Sequence, residues 1–183
     1  MACVDPDNGS TSLLGAVHRG GFAEDFSVDM SWVVPWVFTL NAGDSGQAVA
    51  LLANSSTFAA PEGTLDNSRP AKAGEIVVFY ATGLGPVEPS IRSGQNSCDS
   101  DSVCAADFSN LSLRRTAVTP EIVVGRNSVP PQDILFAGLD PIYVGLYLVY
   151  FVVDSDLPKG DSVPLLLRVG NVGSQPNVTI AIQ

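Results

Sequence analysis

Short apolar, β-branched runs separated by Gly, Pro, Asp and Asn predict an all-β chain. The form expected is an immunoglobulin-like Greek-key β-sandwich of about eight strands with two long loops. Composition agrees: of 183 residues, 45% are hydrophobic and only 15% charged, and Gly 17 and Pro 13 supply turn formers. No helix-period stretch longer than about two turns stands out. The chain is long enough to bury about two thirds of its unfolded surface, so one domain plus an arm is expected.

Taken in order, residues 1–31 are rich in Gly, Asp and Ser and only weakly periodic. They read as an N-terminal arm, a linker remnant or a loosely packed extra strand. The sandwich domain is expected over 32–183. It opens on WVVPWVFTL (32–40), where Pro35 removes a ladder donor and so marks an edge strand or one that switches sheets. GQAVALLA (46–53) reads as the second strand, and 54–74 as a long loop with turn chemistry at Pro61-Glu62-Gly63 and Asp66-Asn67. EIVVFYATGLGPVEP (75–89) reads as a buried strand running into a Gly-Leu-Gly-Pro corner. Residues 90–116 form a second long polar loop. TPEIVV (119–124), 133–136, VGLYLVYFVV (144–153), VPLLLRV (163–169) and NVTIAI (177–182) complete the strands. Along 144–153 both faces of the strand are apolar, so it is central, or one of its faces meets another module.

Charge narrows the function classes. A net charge of −10 repels phosphate backbones and anionic lipid, so no nucleic-acid partner is expected. No apolar run is long enough to span a bilayer, so no membrane insertion is expected. Cys98 and Cys104 bracket the polar loop CDSDSVC, where a disulfide would close a small ring worth about 2 kcal/mol. Such a bridge implies an oxidising compartment. No signal peptide is visible at the start. An extracellular or cell-surface location is therefore expected for a piece of a longer exported protein.

Catalytic signals are sparse. Gly43-Asp44-Ser45-Gly46 is similar to the nucleophile motif of trypsin-like proteases, and the order His18, Asp25 or Asp29, Ser45 matches theirs. The spacing leaves no room for the two barrels that place such a triad. A carboxylate pair for glycoside hydrolysis is the other option, with Asp133, Asp140, Glu62 and Glu88 as candidates near strand ends. Asp99, Asp101 and Asp107 are calcium candidates, though their spacing departs from the EF-hand loop. Trp36, Tyr143 and Trp32 are candidates for an aromatic platform on which sugar rings stack. No cofactor is expected.

A family resemblance emerges from ordered motifs. PWVFT (35–39), GTLDNSRPAKAGEIVVFYATGLGPVEP (63–89), ILFAGLDPIYVGLYLVYFVV (134–153) and LPKGDSVPLLLRVGNVGSQPNVTIAIQ (157–183) together resemble the Solibacter-type C-terminal domain of exported Acidobacteria proteins. The resemblance covers about 34–183. It implies an extracellular immunoglobulin-like terminal module, and it carries no catalytic residues with it. Trp36 stands where that family usually has Gly, and Ile142-Tyr143 replaces a small residue after the FAGL-P turn. Residues 1–31 do not resemble the unit that usually precedes the domain. The function expected is a non-catalytic extracellular interaction module. Its work would be cell-surface attachment, contact with polysaccharide or a cell-surface protein, or support of a neighbouring domain. The alternative is a small hydrolase acting on glycans or esters through a carboxylate pair in the long loops.

Overall fold

A computed structural model describes residues 2–4, 11–19, 22–92, 94–97 and 113–183; for 2–4, 11–19 and 22–30 it describes the backbone. The chain divides into two compact units, Met1–Val33 and Val34–Gln183.

The first unit is more regular than the sequence suggests. Instead of an arm or a single loose strand, β1 (Ala2–Val4), β2 (Thr11–Arg19) and β3 (Phe22–Met30) form a three-stranded antiparallel sheet in that order. Its long register runs from Thr11↔Met30 to Arg19↔Phe22.

The second unit is all-β, with two mixed sheets in a sandwich-like arrangement and a single 3-10 turn at Pro131–Asp133 among the described residues. In chain order its strands are β4 (Trp36–Val37), β5 (Gly46–Gln47), β6 (Ala50–Leu52), β7 (Phe58–Ala59), β8 (Ser68–Arg69) and β9 (Ile76–Thr82). These are followed by β10 (Val87–Glu88), β11 (Arg115–Thr116), β12 (Glu121–Val124), β13 (Asn127–Ser128), β14 (Ile134–Leu139) and β15 (Tyr147–Val152). The last three are β16 (Gly160–Val169), β17 (Val172–Gly173) and β18 (Val178–Ile182). The larger sheet runs β10-β11-β14-β15-β9-β6-β7-β8, with β4 also on β9; the smaller runs β13-β12-β16-β18-β5, with β17 on β16.

One expected strand proves to be divided, and one expected loop carries strands. Residues 46–53 leave one sheet for the other: β5 lies parallel to β18, and β6 pairs with β9. The change falls at Ala48 and Val49: the Ala48 N–H bonds to Thr179 of the smaller sheet, and the Val49 N–H to Phe38 beside β9. The loop 54–74 likewise carries β7 and β8, and Ala71 then bridges to Ile182 of the smaller sheet. Pro35 directly precedes the short β4, whose ladder runs along β9 alone, as its missing N–H leads one to expect.

The core lies between the sheets. Val77, Phe79, Ala81, Val149 and Phe151 of the larger sheet are fully buried, and so are Ile122, Val124, Leu167 and Ile180 of the smaller. Phe79 and Phe151 meet edge to face with ring centroids 6.1 Å apart, a favoured aromatic geometry. A side chain also joins the two layers. The carboxamide of Gln175, 7% exposed, accepts from the Val37 N–H at 3.0 Å and donates to the Val37 carbonyl. Gln175 thus occupies the edge of β4 that β9 leaves open.

Candidate functional site

The smaller sheet shows what a sandwich sheet with one wet face looks like. Along β16, Val163, Leu165, Leu167 and Val169 point into the core, while Pro164 and Arg168 are exposed. Arg168 reaches Glu121 on the neighbouring strand at 3.8 Å. This alternation is the ordinary solution for an antiparallel sheet.

The larger sheet departs from it. Its core-facing set includes Tyr147, Val149 and Phe151, yet its outer face is also apolar. Register sets out that outer face row by row. Leu51 pairs with Val78, which pairs with Tyr150, which pairs with Phe136. One row along, the Phe38 N–H bonds to the Tyr80 carbonyl, Tyr80 pairs with Leu148, and Leu148 with Gly138. Val78, Leu148 and Phe136 form a small buried cluster against which Leu51, Tyr80, Leu113 and Tyr150 pack. Phe136 and Tyr150 meet edge to face at 6.0 Å, and the Arg115 guanidinium stacks 5.0 Å from the Phe136 ring. Phe38, 41% exposed, and Leu135 carry the surface outward into solvent. Shallow apolar grooves flank it, one between Phe38, Val49, Tyr80 and Leu146, the other between Leu113, Leu135 and Tyr150.

The loop at 140–145 forms the rim of this face. Asp140 Oδ1 accepts the backbone N–H groups of Ile142 and Tyr143, both at 2.6 Å. Asn96 Nδ2 donates to the Ile142 carbonyl at 3.1 Å, and the Thr82 hydroxyl donates to the Gly145 carbonyl at 3.0 Å. The loop is thereby fixed while Ile142, Tyr143 and Val144 stand exposed in succession. Three large apolar residues in a row on an anchored turn are costly to leave in water unless something covers them. Burial raises the pKa of the Tyr80 phenol, and the nearby charges of Asp140 and Tyr143 raise it further. Burial likewise raises that of Tyr150, with Tyr80 and Asp140 adding to it.

The expected site residues distribute unevenly over this geometry. Trp36 pairs with Thr82, whose hydroxyl bonds to Gly145, so Trp36 and Tyr143 stand at the same end of the larger sheet. Trp32 is exposed in the first unit. Asp133 and Asp140 flank β14 at opposite ends, roughly 20 Å apart at the rise of an extended strand, so they form no pair. Glu62 is exposed in the loop after β7. Glu88 lies on the outermost strand, and Asp140 spends one carboxylate oxygen on two turn N–H groups. Cys98, Cys104, Asp99, Asp101 and Asp107 lie outside the described residues. Among the described residues, no group of three or more His, Cys, Asp or Glu is placed to hold a metal ion. Nor, among them, is any helix long and apolar enough to cross a membrane.

Two features escaped the sequence reading. In the loop 54–74, Arg69 forms a two-point ion pair with Glu75, at 2.9 and 2.6 Å, and the Lys72 N–H bonds the same carboxylate. The hydrogen bond from Arg69 holds Glu75 below the usual carboxylate range. The other feature is the Gln175 clamp. Neither has a local sequence signature.

No family model, no curated protein and no solved structure matches this chain.

Proposed function

We propose that residues 32–183 are a non-catalytic extracellular interaction module of the Solibacter-type C-terminal kind, with immunoglobulin-like Greek-key connectivity. Its work is contact: attachment at the cell surface, to polysaccharide or to a protein, or support of a neighbouring domain. The observation that carries this reading is the outer face of the larger sheet, apolar from Phe38 to Leu135 where the smaller sheet of the same unit alternates. A partner laid on that face would remove partly wet aromatic surface from water, at about 25 cal/mol per Å². The family motifs fall on β4, β8 to β10, β14, β15 and β16 to β18, strands that belong to both sheets. An extracellular location rests on the family resemblance and on the pairing expected for Cys98 and Cys104.

For the hydrolase alternative, Asp133 and Asp140 lie at opposite ends of β14 and form no pair, and residues 98–112 of its second loop lie outside the described residues. The test exposes the purified chain to soluble and insoluble polysaccharides and to envelope proteins. Both depletion from solution and released sugar ends are recorded. Depletion without release is expected. Release that disappears when a carboxylate is replaced would overturn the reading.

A further inference from the structure

A second surface, apart from the outer face, has the features of a small-ligand site. Beside the open edge of β4 lies a cleft of about 470 Å³, within the usual range for small-ligand pockets. Three separated segments enclose it: 34–36, the turn at 44–45, and 173–177. Hydrogen bonds tie these walls together. Gln175 clamps Val37, and the Gly46 N–H donates to the Asn177 carbonyl at 2.9 Å. The Ser174 hydroxyl accepts the Leu167 N–H at 3.1 Å, and Thr39 Oγ1 both donates to and accepts from the Gly43 backbone. The frame is thus fixed by backbone groups and buried side chains.

Among the described residues, three side chains of this frame have no hydrogen-bond partner: the Asp44 carboxylate, the Ser45 hydroxyl and the Asn177 carboxamide. Trp36, 39% exposed, lines the same cleft. Among the described residues, no Lys or Arg lines the cleft. We infer that this cleft binds a neutral hexopyranose unit, free or within a glycan. The apolar C–H face of a pyranose ring suits the flat indole. A carboxylate accepts from two adjacent sugar hydroxyls at once, by charge-assisted hydrogen bonds. An amide and a hydroxyl donate and accept as required. Asp44 and the net charge of −10 disfavour an anionic ligand. This inference goes beyond the contact role of the outer face, and either can fail without the other.

The sequence has two tryptophans, so Trp32→Phe leaves Trp36 as the only indole reporter. In that background the chain is titrated with methyl glycosides of the gluco, galacto, manno and xylo series, and with their 1,4- and 1,3-linked oligomers. A saturable change in indole emission is expected, with a Kd on the order of 1 mM for a single ring and tighter for oligomers. Asp44→Ala and Asn177→Gly should each weaken it at least about ten-fold with the melting temperature unchanged, since both side chains are exposed and Gly suits the φ of +65 at 177. No saturable response to any of these sugars would overturn the inference. So would undiminished binding in both variants, or a response to quaternary ammonium ligands alone.

Discussion

Replacing Gln175 by Met keeps side-chain length and removes both hydrogen bonds to Val37. The Val37 N–H and C=O face away from β9, and Val37 is fully buried. Both groups then lose that partner, and the Met side chain offers none in return. Each unsatisfied buried backbone group costs roughly 1–3 kcal/mol, so the pair should cost about 3 kcal/mol. For a domain of this size that corresponds to a fall of roughly 6–12 °C in melting temperature, read by calorimetry or near-ultraviolet circular dichroism. Gln175→Glu provides an internal check. At neutral pH its carboxylate still accepts from the Val37 N–H but sets an anionic oxygen against the Val37 carbonyl, so it should be at least as damaging as Met. A buried carboxylate in that position has a raised pKa, so its protonated form recovers a donor. The deficit should therefore shrink as pH falls toward about 4. A Met variant that melts within about 1 °C of the parent would refute the reasoning.

Gly83→Ala should also be destabilising, through the backbone that leads into β4. A Cβ there would lie 1.9 Å from the Val34 carbonyl oxygen, at a φ of +72, so a loss above about 2 kcal/mol is expected in urea unfolding. The depressed pKa of Glu75, caused first by the Arg69 hydrogen bond, sets an acid limb. Its stabilisation is full above about pH 4.3 and is lost as pH falls through the lower folded value. Arg69→Met should flatten that limb, by less than about 1 kcal/mol because both partners are partly exposed. At the alkaline end, burial raises the phenols of Tyr147, Tyr150 and Tyr80. Their neutral forms favour the fold fully below about pH 10, and that contribution is lost as pH climbs through the raised folded values. Phenolate absorbance should therefore rise at lower pH in denaturant than in the native protein.

Much of the all-β architecture was legible in the sequence because β-branched runs and turn formers act locally. Pro35 announced an edge strand through its missing donor. The apolar character of both faces of 144–153 was visible too, and the structure resolves it: Val149 and Phe151 point into the core, while Leu148 and Tyr150 form the outer face. The crossing at 46–53 was not visible, since a continuous apolar run carries no mark of which sheet pairs with each half. The strands of the first unit were not visible because their mixed polarity hid the period. Asp140 looked like a candidate acid because residue type alone does not separate a catalytic carboxylate from one that accepts turn N–H groups. The contact between Gln175 and Val37 spans 138 residues, and no spacing rule reaches that far.

Retention of the chain on envelope polysaccharides and proteins, compared with a Phe38→Ser, Leu135→Ser double variant, tests the outer face most directly. Both residues are 41% exposed, so the double variant should still fold, with its melting temperature measured alongside. If the outer face is the contact surface, retention should fall at least about ten-fold, which is roughly 1.4 kcal/mol for two aromatic or aliphatic anchors. Equal retention of parent and variant, or no retention of the parent by any of these materials, would contradict it.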